Sequence, residues 1–458
     1  MKDPFFWGTA TSSFQIEGGH DKGGRTPSIW DVYTTTKDKV KNNDDGRQGI
    51  DHYDRYEEDL NYLEKLGVNS YRFSISWSRI IPHIDGIINQ EGLAFYDAII
   101  NKLNASGIRP FVTLYHWDLP QYLQDQGGWE NRQTAYAFER FARSVAQHFG
   151  QRVQDYITIN EPQCIINLGH RTLEHAPGIF LDEKRTVGAI HNLLLAHGLA
   201  VQAIRQVAPH AKIGFAPTST AAIPLTKSAE DLSAAKKSYF ALNYASFDGV
   251  TLYSDPVFLG NYPQNFYLYY ENYLPSSYKE DLNIISTPLD YCYQNFYTGY
   301  YVKALANGDP IKVEYKDENT RGVFAWLYKV PEALYYGPLF LYERYKLPII
   351  ISENGISVVD KLMRETTIET STRQETYRVH DTGRIDYYHR YLNCLLKAKM
   401  DGVDIRGYFA WSLFDNFEWA WGYEARFGLI YVDYQNFRRY PKDSFYFYKR
   451  IIDEKRDI

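Results

Sequence analysis

Two glutamates stand where acids could do chemistry. One closes Thr158-Ile159-Asn160-Glu161-Pro162, a carboxylate placed directly after an apolar run and followed by a chain-stopping proline. The other closes Ile350-Ile351-Ser352-Glu353-Asn354-Gly355 in the same manner. A charged group ending a buried run is badly placed for a core and well placed for a pocket floor. Either glutamate alone reads equally well as a structural ion pair. Both at one level of one pocket suit glycoside cleavage, where one carboxyl protonates the leaving oxygen and the other meets the developing oxocarbenium carbon. A separation of about 5–5.5 Å gives retention through a covalent intermediate, and about 6.5–9.5 Å gives inversion.

Residues so far apart in the chain need a fold that brings strand ends together. Eight short apolar or alternating runs read as strands: Phe5–Gly8, Ser70–Trp77, Arg109–His116, Asp155–Pro162, Ala211–Pro217, Asp290–Tyr297, Pro348–Gly355 and Ile405–Leu413. Helical spacing lies between them, clearest over Tyr53–Leu66, Gln133–Phe149 and Asn192–Val207. Each of these ends in a stop, at Gly67, at Gly150 and just before Pro209. Strands alternating with helices point to a parallel sheet, and eight strands close a barrel. The expected architecture is therefore α/β, a single (β/α)8 TIM barrel over residues 1–458 with elaborated βα loops. The longest irregular stretches are Asp21–Gly49, Thr218–Thr287 and Asp360–Thr382. The first and third follow strands one and seven and should border the mouth. Within the second, Thr251–Pro275 reads as connections with extra turns.

Composition narrows the classes. The 458 residues carry 50 Lys plus Arg against 56 Asp plus Glu, a net charge of −6. That balance disfavours a nucleic acid or an anionic membrane as partner. Hydrophobic residues make up 44%, enough for one large core. Cys164, Cys292 and Cys394 are odd in number and widely spaced, so they form no disulfide framework. Met1-Lys2-Asp3-Pro4 shows no secretion pattern, and no apolar run approaches about 18 residues. A soluble, cytoplasmic chain is the expectation. The 41 Tyr, 25 Phe and 9 Trp could stack on sugar faces, though most rings in such a chain fill its core or line the boundary.

The remaining strand ends agree with a sugar pocket. Strand one leads to Gln15, strand two carries Arg72, strand three ends in His116, and strand six carries Asn295 and Tyr297. Strand eight leads through Trp411 to Glu418 and Trp419. These types donate to and accept from adjacent hydroxyls, and indole rings offer a floor.

With these residues in view, the chain resembles a family 1 glycoside hydrolase, the β-glucosidase and β-galactosidase group of retaining enzymes. The likeness runs from Phe6-Trp7-Gly8-Thr9-Ala10-Thr11-Ser12-Ser13-Phe14-Gln15-Ile16-Glu17-Gly18 to Phe427-Gly428-Leu429-Ile430-Tyr431-Val432-Asp433. By that resemblance Glu353 is the nucleophile and Glu161 the acid/base. Arg72, Asn295 and Tyr297 would surround the nucleophile. Gln15, His116, Asn160, Glu418 and Trp419 would hold the non-reducing sugar above Trp411. The implied activity is hydrolysis of terminal β-D-glucosyl residues, with β-D-galactosyl and β-D-fucosyl as further glycons, and no metal or cofactor. A like charge about 5.5 Å away, at an effective dielectric of about 20, costs about 3 kcal/mol. That is about two pKa units, which would move Glu161 toward the protonated form that an acid needs.

The pattern departs from the family on the leaving-group side. Gln163 stands where Trp is usual, and the segment from Gly169 to Gly178 lacks the usual Tyr and second Gly. Trp326 is the nearest candidate for an aromatic platform there. A 6-phospho-β-glucosidase shares the fold and both glutamates, but Glu418 would repel a phosphate. A catalytically inactive sugar-binding barrel is the rival of another class, and loss of a glutamate would be its mark. His191 and His197 lack the spacing of a zinc helix, and the Gly18-Gly19 and Gly23-Gly24 pairs lack a phosphate-loop ending. Cys164, near the acid/base, reads as a small buried residue.

Overall fold

The computed structural model describes residues 5–242, 247–369 and 372–455; Met1–Pro4, with the expected absence of a leader pattern, lie outside them. All eight expected runs are strands: β1 (Phe6–Ala10), β2 (Ser70–Ser74), β3 (Arg109–Tyr115), β4 (Asp155–Asn160), β5 (Lys212–Ala216), β6 (Tyr291–Asn295), β7 (Ile349–Asn354) and β8 (Ile405–Trp411). They close in chain order, and β1 pairs in parallel with both β2 and β8 to seal the ring. Every residue of β4 and β7 is buried, as expected of parallel strands covered on both faces. Phe111 meets Phe6, Tyr293 and Phe409 edge-on at ring distances of 5.1, 6.4 and 4.9 Å. The barrel is thus filled by side chains, and much of the aromatic content is core.

Irregularities in the ladder cluster at the ends that carry the glutamates. The register of β7 shifts against β6 between Ile351 and Glu353, and that of β4 against β5 between Ile157 and Asn160. Such bulges re-aim side chains at the end of a strand. Gly355 then lets the chain pass Trp411, whose carbonyl oxygen would lie 1.9 Å from an added Cβ. No other residue fits there.

The helices His52–Leu66 and Gln133–Phe149 match their expected spans to within a residue. The third begins nine positions earlier than its periodicity suggests. It runs from Glu183 to Val207, started by Asp182, whose side chain accepts from the Arg185 N–H. This helix is long and apolar enough by composition to cross a membrane, with a mean hydropathy of 1.4 over its best window. Of that window 83% is buried within the protein, and the helix carries His191, Asn192 and His197 inward. It is a core helix.

The stretches expected to be irregular hold more structure than their composition suggests. Within 218–287 lie a strand, Ala221–Pro224, and the helices Ala229–Tyr239, Val250–Leu259, Gln264–Tyr270 and Tyr278–Ile285. Thr251–Pro275 is therefore largely helical, stabilised by burial of Leu252, Tyr253, Val257 and Phe266. The segment 360–382 contains an antiparallel hairpin, Met363–Glu369 against Thr372–Arg378. Its Tyr377 packs on Tyr440. The segment 21–49 does reach the mouth, where Trp30 lies 4.4 Å from the ring of Trp419.

Candidate active site

At the C-terminal ends of the strands a cavity of about 330 Å³ is lined by Glu161, Glu353, Asn160, His116, Tyr297, Trp411, Glu418 and Trp419. All eight strands carry or lead to residues placed in or directly behind it. Arg72 and Asn295 lie behind the two central carboxylates, both fully buried, and Gln15 stands behind Glu418.

Glu353 is held from both sides. Arg72 Nη1 pairs with its Oε1 at 2.6 Å, and the Tyr297 hydroxyl donates to its Oε2 at 2.6 Å. Arg72 is itself fixed by Thr113, by the Ser352 carbonyl and by Asn160 Oδ1. A guanidinium and a phenol thus both donate to this one carboxylate, which accepts through each of its oxygens. Burial and the Glu353 charge raise the Tyr297 phenol well above its usual value, so it stays a donor.

Among the described residues no cation contacts Glu161. Its backbone sits at φ 44, a left-handed conformation rarely adopted outside glycine. This turns the side chain off the end of β4, while its N–H is held by the Ala216 carbonyl at 2.7 Å. Asn295 Nδ2 donates to Oε1 at 2.8 Å and Cys164 Sγ to Oε2 at 3.1 Å. Its pKa is raised to about 7, first by burial and then by Glu353. The sequence argument rested on the like charge alone; in the folded protein loss of solvent is the larger cause.

The side chain of Asn295 differs from expectation in the carboxylate it serves. Asn295 is the ladder partner of Glu353, but its amide hydrogens go to Glu161 and to Asn160 Oδ1, at 2.8 and 3.0 Å. Asn160 thus has its oxygen saturated by Arg72 and Asn295, and its amide donates to His116 Nε2 at 3.2 Å. His116 is therefore an acceptor at Nε2. Burial and Arg72 hold it well below its usual pKa, and its Nδ1 has no partner within the protein. His116 stacks on Trp411 and Trp419, with interplanar angles of 12° and 18°.

Glu418 is the third carboxylate of the cavity. Burial, then Glu353 and Glu161, push it up to about 8. Its polar neighbour is the Gln15 amide at 3.5 Å, which also binds Asn416 and the Phe417 carbonyl. Among the described residues no lysine or arginine lines this cavity.

The outer wall contains residues that sequence reading did not assign. Trp117, Glu174, His175, Phe324, Trp421 and Phe427 complete the rim. Their local signal was weak, since each is a ring or acid within a loop whose position only the fold sets. Trp326, 53% exposed, stacks on Phe324 and also faces a second chamber of about 1010 Å³. That chamber opens beside the first and shares Cys164, Leu168, Thr218 and Trp326 with it. Gln163 belongs to the outer chamber and is tied to Thr218 through both its amide oxygen and nitrogen. Leu173, in the segment lacking its second glycine, takes φ 66. No group of three or more His, Cys, Asp or Glu side chains among the described residues could hold a metal ion.

Comparison with known proteins agrees with this geometry. The family model described as glycosyl hydrolase family 1 matches residues 1–457. A β-glucosidase A of Thermotoga maritima is 40% identical over 449 residues, covering 98% of this chain and 96% of its own. A bifunctional β-D-glucosidase/β-D-fucosidase of Bifidobacterium breve is 39% identical, over 98% of this chain and 97% of its own. The structure of a Thermotoga maritima β-glucosidase with glucoimidazole superposes with a TM-score of 0.86 at 40% identity, covering 98% of both chains. The chain belongs to glycosyl hydrolase family 1.

Proposed function

We propose that the protein is a retaining exo-β-glucosidase, the whole chain working as one catalytic barrel domain. It removes a terminal non-reducing β-D-glucosyl residue, with β-D-galactosyl and β-D-fucosyl as further glycons. The observation that carries this reading is the contrast between two glutamates of one cavity. Glu353 is paired with Arg72, and Glu161 is raised to about 7 without a cation in contact. One is suited to attack and the other to deliver a proton.

In the first step Glu353 attacks the anomeric carbon as Glu161 protonates the departing glycosidic oxygen, giving a glycosyl ester on Glu353 and a free alcohol. The negative charge of Glu353 is then gone, and with it one cause of the raised pKa of Glu161. In the second step Glu161 takes a proton from water, whose oxygen displaces the ester and releases the sugar with its original configuration. Every group in these steps belongs to this chain or to the substrate, so the scheme calls for no metal or cofactor.

The small inner cavity suits a single sugar ring, with Glu418, Asn160 and His116 as partners for its hydroxyls. The outer chamber leaves room for the leaving group. A 6-phosphorylated sugar would meet Glu418 without a cation to hold it. The names of the relatives, glucosidase and glucosidase/fucosidase, support the same glycons.

Incubation with a 2-fluoro-2-deoxy-glucoside bearing a good leaving group tests the scheme. The expected result is a covalent label on Glu353, located by mass spectrometry. A label elsewhere, or normal turnover with none, refutes it, and an inactive binding barrel would give neither label nor turnover.

A further inference from the structure

The acid/base carboxylate has one partner that the two-step scheme does not use. Cys164 lies on the first turn of the short helix Pro162–Ile166, where its N–H reaches the Glu161 carbonyl at 3.0 Å. Three residues and one backbone hydrogen bond therefore fix the thiol beside Oε2 of Glu161, at 3.1 Å. The other oxygen, Oε1, faces the amide of Asn295, a group that can only donate. A proton on Glu161 must then sit on Oε2, next to the sulfur.

A thiol is a weak donor and a weak acceptor, and it can be either by turning its S–H bond. We propose that Cys164 is a positioning residue for Glu161, donating to Oε2 when the carboxylate is ionised and accepting from it when it is protonated. This inference rests on the acid/base reading of Glu161. Its advantage lies in the two half-reactions, which need opposite protonation states of one group. A strong fixed donor at this place would hold Glu161 in its ionised form and hinder the acid step. An apolar side chain would leave Oε2 unheld in both states.

The thiol keeps its hydrogen, since burial and then Glu161 push it well above its usual value. The charged and titratable groups around the pair are Glu353 on β7, Arg72 on β2, Tyr297 after β6, Glu418 after β8 and Asp248 near the sulfur. None of them changes when Cys164 is replaced by Ser or Ala, so a comparison of those variants isolates the sulfur.

The experiment measures kcat/KM against pH for the wild type, Cys164→Ala, Cys164→Ser and Glu161→Gln, using a phenyl β-glucoside of intermediate leaving ability. The basic limb should move up by about 0.5 pH unit in the Ala variant and down by about 0.5 in the Ser variant. It should vanish in Glu161→Gln. Circular dichroism and the thermal midpoint of each Cys164 variant show that it folds. Limbs that coincide with the wild type, or that move the same way in both variants, overturn the role of Cys164 alone. A limb that survives in Glu161→Gln overturns the acid/base reading and this inference with it.

Discussion

Two buried charge clusters in this molecule use similar residues to opposite ends. Behind β7 and β8, Asp360, Asp381 and Asp415 meet Arg384, Lys442 and Arg426, an acid for every base. Around the cavity stand Glu161, Glu353 and Glu418, and among the described residues the one cation bonded to any of the three is Arg72, on Glu353. In the balanced cluster neighbours offset burial: Asp360 is held below its usual pKa by Lys442 and Arg384 against the opposing effect of desolvation. In the unbalanced one, burial and like charge act together, and two carboxyls rise to about 7 and about 8. A buried charge excess is costly to a fold. Its presence marks the place where proton affinity, not stability, is being set.

The comparison can be broken at several points. The largest effect is expected from Glu161→Ala, which should slow substrates with poor leaving groups by about 10²–10⁴-fold and leave activated ones far less affected. Steady-state rates on a leaving-group series check this, and equal losses across the series would put Glu161 outside proton transfer. Next comes the balanced cluster. Lys442→Met leaves Asp360 and Asp415 short of a partner and should cost about 3 kcal/mol of stability, read from the denaturation midpoint, with kcat/KM of the folded enzyme unchanged. A loss of activity without loss of stability would merge the two clusters into one functional unit. A third test is Glu418→Gln, whose effect shows only as a change with pH. Glu418 binds its proton more tightly in the folded chain than in the unfolded one, so its stabilising contribution is complete below about pH 4.5 and is lost as pH rises through 8. The melting temperature of the Gln variant should therefore gain on that of the wild type as pH rises from 5 to 9, by an amount that grows with pH. A constant difference would mean that Glu418 is ionised throughout.

The eight strands and both glutamates were legible because strand burial writes itself as apolar runs. Ile349, Ile350 and Ile351 run on without polar alternation, and Ile157 and Ile159 flank only the one polar Thr158. The hairpin 363–378 was not legible, since its sequence, Arg364-Glu365-Thr366 onward, lacks an apolar face. The early turns of Glu183–Val207 were missed because Lys184, Arg185 and Gly188 interrupt the apolar spacing while Asp182 supplies the start. At the site, residue types announced the carboxylates and their rings. Which carboxylate Asn295 serves, and that Cys164 touches Glu161, depend on side-chain directions set by the bulges and by the left-handed turn at residue 161. Spacing along a chain carries no such information. The rim residues Phe324, Trp421 and Phe427 come from loops after β6 and β8, whose convergence is a property of the closed ring.

That closure has a consequence for synthesis. The seam joins β1 to β8, with Tyr448 donating to the Gly8 carbonyl at 2.8 Å and Trp7 to that of Lys455 at 3.1 Å. Gln15 leaves the ribosome about 400 residues before its neighbour Glu418. A nascent chain that already holds Glu161 and Glu353 still has one wall of its pocket missing. Turnover by a growing polypeptide would thus signal the arrival of the strand that closes the barrel and of the loop after it.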